Sequence, residues 1–328
     1  MILRIFQLKL KNSNHNIPVI ENHLIGTRTE PKNPKEHRFG RQKLPGLRII
    51  LTEKCAIVLF AIIGCVLLVP GIIFYLLVNN LYEDELRYDN KCDLGQDCIV
   101  IFHVSKQIKG PINFYYKLTK FYQNHRRFGY SRVNSQLAGE YADFDEMEPC
   151  KPYRSENNDK DPSKWTLPCG VYANSVFNDS FTWLNDTSLF SDKDITFSVE
   201  REHVFKNLST KYTSGNKWLE KSSIFHGQTN EHFIVWMRTA PLQTFSKLYA
   251  KCKDCTIEPG DYLIKVNNRY PTDWFGGQKY IVIAKQGFFG THQKFLGIVY
   301  LLFGCLSIAF SISILLIKLF FHRILFPE

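Results

Sequence analysis

Three catalytic signatures are missing from these 328 residues: a G-x-x-x-x-G-K-[ST] phosphate loop, a G-x-S-x-G elbow and an H-E-x-x-H helix. Each of those motifs holds a reactive group on a fixed turn or helix face, so nothing here announces nucleotide, acyl or zinc-hydrolytic chemistry. Also absent are internal repeats and low-complexity tracts, which excludes a solenoid and a compositional linker. Charge is missing from two long stretches. Ala56 to Val78 and Phe295 to Ile317 are each twenty-three residues without Asp, Glu, Lys, Arg or His, so neither offers a proton relay or an ion site by itself. Elsewhere charge is ordinary, and 22% charged with 14% aromatic residues argues against a disordered chain.

A helix of twenty-three residues spans about 34 Å, enough for a hydrocarbon core of about 30 Å. The mean hydropathy of −0.19 averages these runs with a polar interior and hides them. The first run begins too late and is too long for a cleavable leader, so it reads as an uncleaved anchor. Residues 1–54 hold eleven Lys and Arg against four Glu, and Glu83-Asp84-Glu85 follows the first run. The positive-inside rule then places the N-terminus in the cytosol, and two crossings return the tail to that side. The expected organisation is a basic cytosolic segment over 1–54, a first span over 55–78 and a luminal or extracellular head over 79–294. A second span over 295–317 and a cytosolic tail over 318–328 complete it. The net charge of +10 gathers near the membrane without a nucleic-acid motif, so anionic lipid headgroups, not nucleic acid, are its expected contact.

Of nine cysteines, Cys55, Cys65 and Cys305 lie in or beside the runs, and six lie in the head. An even set on the oxidising side reads as disulfides, with fifteen connectivities open. We read nearest-neighbour pairing: Cys92–Cys98, Cys150–Cys169 and Cys252–Cys255. The C-x-x-C at 252–255 runs into Thr-Ile-Glu-Pro-Gly, a turn before a strand and not the helix start a redox site needs; zinc would need two further ligands. Three N-x-[ST] sequons, at Asn178, Asn185 and Asn207, all fall in the head and make it an expected glycoprotein. The acidic residues Asp143, Asp145, Glu146 and Glu148 lack the order of a calcium loop and read as solvated. His125-Arg126-Arg127 reads as a cationic patch. No metal or cofactor is expected.

Strands are predicted at Cys98–Val104, Phe233–Met237, Tyr262–Val266 and Lys279–Ala284 by their β-branched and aromatic content. Tyr115, Leu118 and Tyr122 at helical spacing predict a short helix within 112–125. Short strands with long irregular connections give a mainly antiparallel, sandwich-like, disulfide-bonded head with short helices between two transmembrane helices. Gly64 and Gly71 share one helix face, as do Gly297, Gly304 and Ser311; small residues there let helices approach closely in lipid.

Several stretches together resemble the cell cycle control protein 50, or ligand-effect modulator, family. They are Gln42-Lys-Leu-Pro45, Phe121-Tyr-Gln-Asn-His-Arg-Arg127, Ser135-Gln-Leu-Ala-Gly139, Pro168-Cys-Gly170, Ala173-Asn-Ser175 and Phe177-Asn-Asp179. Asn230 to Ala240, Phe245-Ser-Lys-Leu-Tyr249, Asn268-Arg-Tyr-Pro271 and Phe295-Leu-Gly-Ile298 continue the series in order. The resemblance implies an accessory, or β, subunit that binds the catalytic α subunit of a type IV P-type ATPase, a phospholipid flippase. It also implies support of that partner's exit from the endoplasmic reticulum and of its transport cycle, in secretory-pathway membranes, with no catalysis of its own. The chain departs from the family where Cys92 and Cys98 alone stand in place of the usual four cysteines, in two nested bridges, just after the first span. It departs also where Arg269 removes a sequon, where Phe288-Phe-Gly-Thr-His292 replaces a Trp-x-Gly-Gly-Lys stretch before the second span, and in a shorter middle of the head. These departures point to the short C-type branch. Two helices with an outer cysteine-bearing head also describe ligand-gated or sodium channel subunits and membrane chaperones independent of flippases, which remain the alternative readings.

Overall fold

The computed structural model describes residues 52–287, 290 and 294–325. The basic segment up to residue 51, the stretch around Phe288–His292 apart from Gly290, and the last three residues of the tail lie outside the described residues.

Two long helices, α1 (Glu53–Asn79) and α6 (Phe295–Leu325), flank residues 80–294 in sequence. Both are long and apolar enough to cross a membrane, and their side chains are mostly exposed. α1 runs on through Pro70.

Between them is an antiparallel β head. One sheet holds four strands in the order β1 (Glu83–Arg87), β9 (Lys279–Lys285), β4 (Ile112–Leu118) and β6 (Phe245–Cys252). A second holds β2 (Asp97–Val104), β8 (Gly260–Asn267) and β5 (Ser180–Trp183), and β3 (Ile108–Lys109) with β7 (Thr256–Ile257) makes a small ribbon. β1 leaves α1 within four residues and pairs with β9, the last strand before α6, from Glu83↔Ala284 to Arg87↔Tyr280. The first helix therefore runs almost directly into the edge strand of this sheet.

Inward residues of the two main sheets meet in one core. β2 alternates, with Val100, Phe102 and Val104 buried and Ile99 and Ile101 exposed, the period of two that a half-buried strand requires. Phe114 of β4 meets Phe181 and Trp183 of β5 edge-on, with centroids 5.5 and 6.5 Å apart. A second, smaller core gathers Phe144, Met147, Trp165, Leu167 and Tyr212 around Cys150 and Cys169.

Two local expectations are corrected. Residues 112–118 form a strand, not a helix, because β4 pairs on both sides, with β6 and with β9. An interior strand satisfies every backbone group, and Phe114, Tyr116 and Leu118 are buried at period two; this outweighs a chance helical spacing. Residues 233–237 belong to a helix, α5 (Glu231–Met237), not a strand. All five are buried, so the segment has no alternation to mark a strand. The Asn230 side chain caps it by accepting from the backbone N–H of His232 and Phe233.

Candidate functional site

The helix pair is held by small residues on facing surfaces. A Cβ placed on Gly304 would lie 2.7 Å from Leu68 Cγ, and one on Gly64 would lie 2.5 Å from Ile308 Cγ1 and 3.2 Å from the Gly304 carbonyl. Gly71 packs on Leu301 and Tyr300, and Gly297 on the Tyr75 backbone. The Ser311 hydroxyl donates to the Ile57 carbonyl at 2.8 Å, and Ser307 does the same to Phe60. At one end Lys318 pairs with Glu53 at 3.2 Å. Each small residue is thus turned toward the opposite helix of the same chain. Val66, Val69, Phe303 and Leu306 are exposed on the outside of the pair.

In the head, the sequences that carry the family resemblance converge on α5. Three short helices and one strand matter here: α2 (Arg126–Tyr130), α3 (Asn134–Leu137) and α4 (Val171–Asn174), and the strand β6 that α5 packs on. Trp236 is fully buried and its indole N–H donates to the Tyr172 carbonyl at 3.0 Å. Gln123 accepts from the Ala240 N–H at 3.0 Å and donates to the Trp236 carbonyl at 3.4 Å. At the end of α5, Lys247 of β6 donates to the carbonyls of Val235, Trp236 and Arg238, so a buried ammonium closes the helix where carbonyls lack partners. Burial, and secondarily the charge of Arg238, push the Lys247 ammonium down to about 7. Gly170, at φ +101°, begins α4 where any side chain would strike the Ser131 carbonyl.

A buried ion pair ties the two sheets together. The Asp179 carboxylate accepts from the Tyr88 hydroxyl at 2.7 Å, the Lys279 ammonium at 2.8 Å, and the Arg269 and Tyr270 N–H groups at 2.6 and 2.5 Å. Lys279 also donates to the Tyr270 carbonyl at 2.6 Å and to Asn268 Oδ1. Asn268 in turn donates to the Cys92 carbonyl at 2.7 Å. Four donors on the carboxylate and three acceptors on the ammonium use nearly all that either group offers. Burial outweighs the attraction of Asp179 and lowers the Lys279 pKa, while burial first and Asp179 second raise that of Tyr88 well above its ordinary value. This network has no opening for substrate; it is a clasp. Sequence reasoning missed it, as it missed Lys247. The available signals were Asp179 and Asn268 inside the motif stretches and a lysine opening a core strand.

The six head cysteines lie in three bonded pairs: Cys92 with Cys98, Cys150 with Cys169, and Cys252 with Cys255. Asn185 and Asn207 are exposed, whereas Asn178 is half-buried. His125, Arg126 and Arg127 are exposed at the start of α2. Asp143 caps its own turn by accepting from the N–H groups of Asp145 and Glu146, and Glu148 pairs with Lys151 and Arg154. Among the described residues no group of three His, Cys, Asp or Glu side chains is placed to hold a metal ion. The outer face of the four-stranded sheet carries a hollow of about 570 Å³ beside Glu83, Lys117 and Val282, close to where the strands meet the helices.

Fold and surfaces together define a two-span membrane protein whose hairpin carries a disulfide-bonded β head, with one buried ion pair inside the head and apolar flanks on the helices. The chain belongs to the LEM3 (ligand-effect modulator 3) family / CDC50 family, whose model matches residues 78–324. It is similar to ALA-interacting subunit 3 of Arabidopsis thaliana, at 34% identity over 88% of this chain and 87% of that protein. It is also similar to cell cycle control protein 50A of Bos taurus, at 32% over 89% and 91%, and to cell cycle control protein 50C of Bos taurus, at 30% over 88% and 94%. These identities do not set the C type apart from the others.

Proposed function

We propose that this chain is a non-catalytic accessory subunit of a type IV P-type ATPase phospholipid flippase, one that supports the partner's folding, its exit from the endoplasmic reticulum and its aminophospholipid transport cycle. The observation that carries this reading is the match along nearly the whole chain to proteins named as interacting subunits and as cell cycle control protein 50. The geometry supplies a division of labour. The small faces of α1 and α6 are occupied by one another, so the outward apolar flanks meet the partner's membrane helices and the surrounding lipid. The hollow above the helix roots receives the partner's exoplasmic loops, and the basic segment up to residue 54 touches its cytosolic side. Such a clamp changes the ATPase cycle by binding some of its conformations better than others, the only way a bound subunit can shift populations.

Co-expression with candidate type IV ATPases, recovery in mild detergent and tracking of ER exit tests the proposal. The expected result is a stoichiometric complex and retention of the ATPase in the endoplasmic reticulum when the chain is withheld. Failure to associate with any such ATPase overturns it. Currents from the chain expressed alone would favour the channel reading, and ER-exit effects on unrelated clients would favour a general chaperone.

A further inference from the structure

A groove of about 520 Å³ opens on the head, within the range of about 300–1,000 Å³ that small-molecule sites occupy. Its wall includes Tyr153, Asn174, Asn178, Tyr270 and Trp274. Trp274 is 67% exposed and Tyr153 49% exposed, so two large rings sit in solvent beside a concavity. The Trp274 ring is steadied edge-on by Phe275, with centroids 4.7 Å apart. Asn178 is the acceptor of a sequon, and its Oδ1 is buried with no hydrogen-bond partner. A buried acceptor left dry carries its full desolvation penalty unless something donates to it.

The rest of that sequon is immobilised. Asp179 is 2% exposed with its carboxylate committed to four donors, and Ser180 begins β5. A segment so fixed cannot extend into a transferase, so modification at Asn178 has to precede folding, and folding then draws the linkage into the groove wall. Asn185 and Asn207 differ: both are exposed, and Asn185 Oδ1 accepts from the Leu263 N–H at 2.7 Å, leaving its Nδ2 as the attachment atom.

We propose that this groove seats the innermost N-acetylhexosamine residues of a glycan carried on Asn178, with Trp274 and Tyr153 as the rings on which the sugars lie. Sugars present an apolar C–H face and an N-acetyl methyl to the rings, and their hydroxyl and amide groups supply donors for polar atoms in the wall. The inference rests on the luminal placement of the head, part of the reading above, and does not depend on the ATPase partner.

The full-length chain, produced in secretory cells and purified natively, is treated with a peptide-N-glycosidase, and release is followed at each sequon by mass spectrometry. Release at Asn178 is expected to be about tenfold slower than at Asn185 and Asn207, the scale of one or two aromatic contacts. Trp274→Ala or Tyr153→Ala should abolish that lag and Trp274→Phe should retain it, with release at the other two sites unchanged as the control for folding. A glycan at Asn185 or Asn207 but none at Asn178 overturns the groove assignment alone. Equal release at all occupied sites, or a lag that both alanine variants leave intact, overturns it too. No glycan at any of the three sites overturns the luminal placement together with this inference.

Discussion

The helix pair and the head solve the problem of polar groups in opposite ways. Between α1 and α6 the polar contacts described are two serine hydroxyls on backbone carbonyls and one terminal ion pair; the rest is packing, glycine against leucine, isoleucine or tyrosine and the edge-on ring pairs Phe60–Phe310 and Phe74–Tyr300. In lipid the hydrophobic effect gives helices no reason to associate, so close approach and a few hydrogen bonds must do it. The head has ample hydrophobic drive from its aromatic core, yet it places a carboxylate and an ammonium at its centre. A buried pair of that kind adds little net stability but makes its surroundings intolerant of change, because each charge depends on the other. The clasp therefore specifies how the strands meet more than it strengthens them. It joins the end of β1, the start of β5, the end of β8 and the start of β9, four points that burial alone would not register.

The sharpest break of this comparison is Lys279→Met. It strands Asp179 beside Tyr88 with its negative charge uncompensated, and removal of one partner from a buried pair costs about 3–5 kcal/mol. The head should lose protease resistance and the chain should fail to leave its site of synthesis. Adding Asp179→Asn should recover a large part of the loss, since an amide keeps acceptor capacity without the charge; limited proteolysis of both variants measures the coupling. If the single variant is as resistant as the parent, the clasp does not specify the head.

In the hairpin the corresponding change is Gly304→Leu. The new side chain begins 2.7–2.9 Å from Leu68, so the helices must separate and the hydroxyl bonds of Ser307 and Ser311 stretch with them. Overpacking of this kind costs about 1–3 kcal/mol. Recovery of the proposed ATPase partner should fall several-fold while the head keeps its protease resistance. Undiminished recovery would show that the close packing of α1 on α6 does not govern binding of the proposed partner.

How much of this was legible from sequence also differs between the regions. The hairpin was readable because a membrane span needs only length and the absence of charge, and both are local properties. The positions Gly64, Gly71, Gly297, Gly304 and Ser311 follow from helical spacing alone. The head was readable where β-branched and aromatic residues cluster in a strand, as in β2, and unreadable where long-range pairing decides. Residues 112–118 have helical spacing but become a strand because β6 and β9 lie on either side, and residues 233–237 look like a strand but form a helix packed in the core. The clasp was invisible for a deeper reason: Asp179 and Lys279 lie a hundred residues apart, and nothing local marks them as partners.

Lys247 tests the head's second buried ammonium by pH. Its folded pKa is about 7 against an unfolded value of about 10.4, so between those values the unfolded chain binds more protons than the folded one. Stability from this group therefore rises with pH through that window, by at most about 1.4 kcal/mol per pH unit, and is flat below about pH 7, where both states are protonated. The three carbonyls favour the ammonium, but burial and Arg238 outweigh them. Chemical unfolding of the purified chain at pH 6.5, 7.5 and 8.5 should show the rise in the parent and a shallower one in Lys247→Met. Parallel curves would remove the special status of this lysine.

The two ends of α5 allow the finest comparison. Lys247 closes the C-terminal end from the buried side, whereas Asn230 closes the N-terminal end with a half-buried amide that accepts from the N–H of His232 at 2.9 Å and of Phe233 at 3.3 Å. Water can replace a partly exposed cap in a way it cannot replace a buried one. Asn230→Ala should therefore cost about 1 kcal/mol and Asn230→Gly only a few tenths, the ordinary scale of a cap, with no change in the pH dependence set by Lys247. Denaturation midpoints of the two variants at one pH decide the matter. A loss at Asn230 as large as that at Lys279 would mean that α5, and not the ion pair, is what holds the head in register.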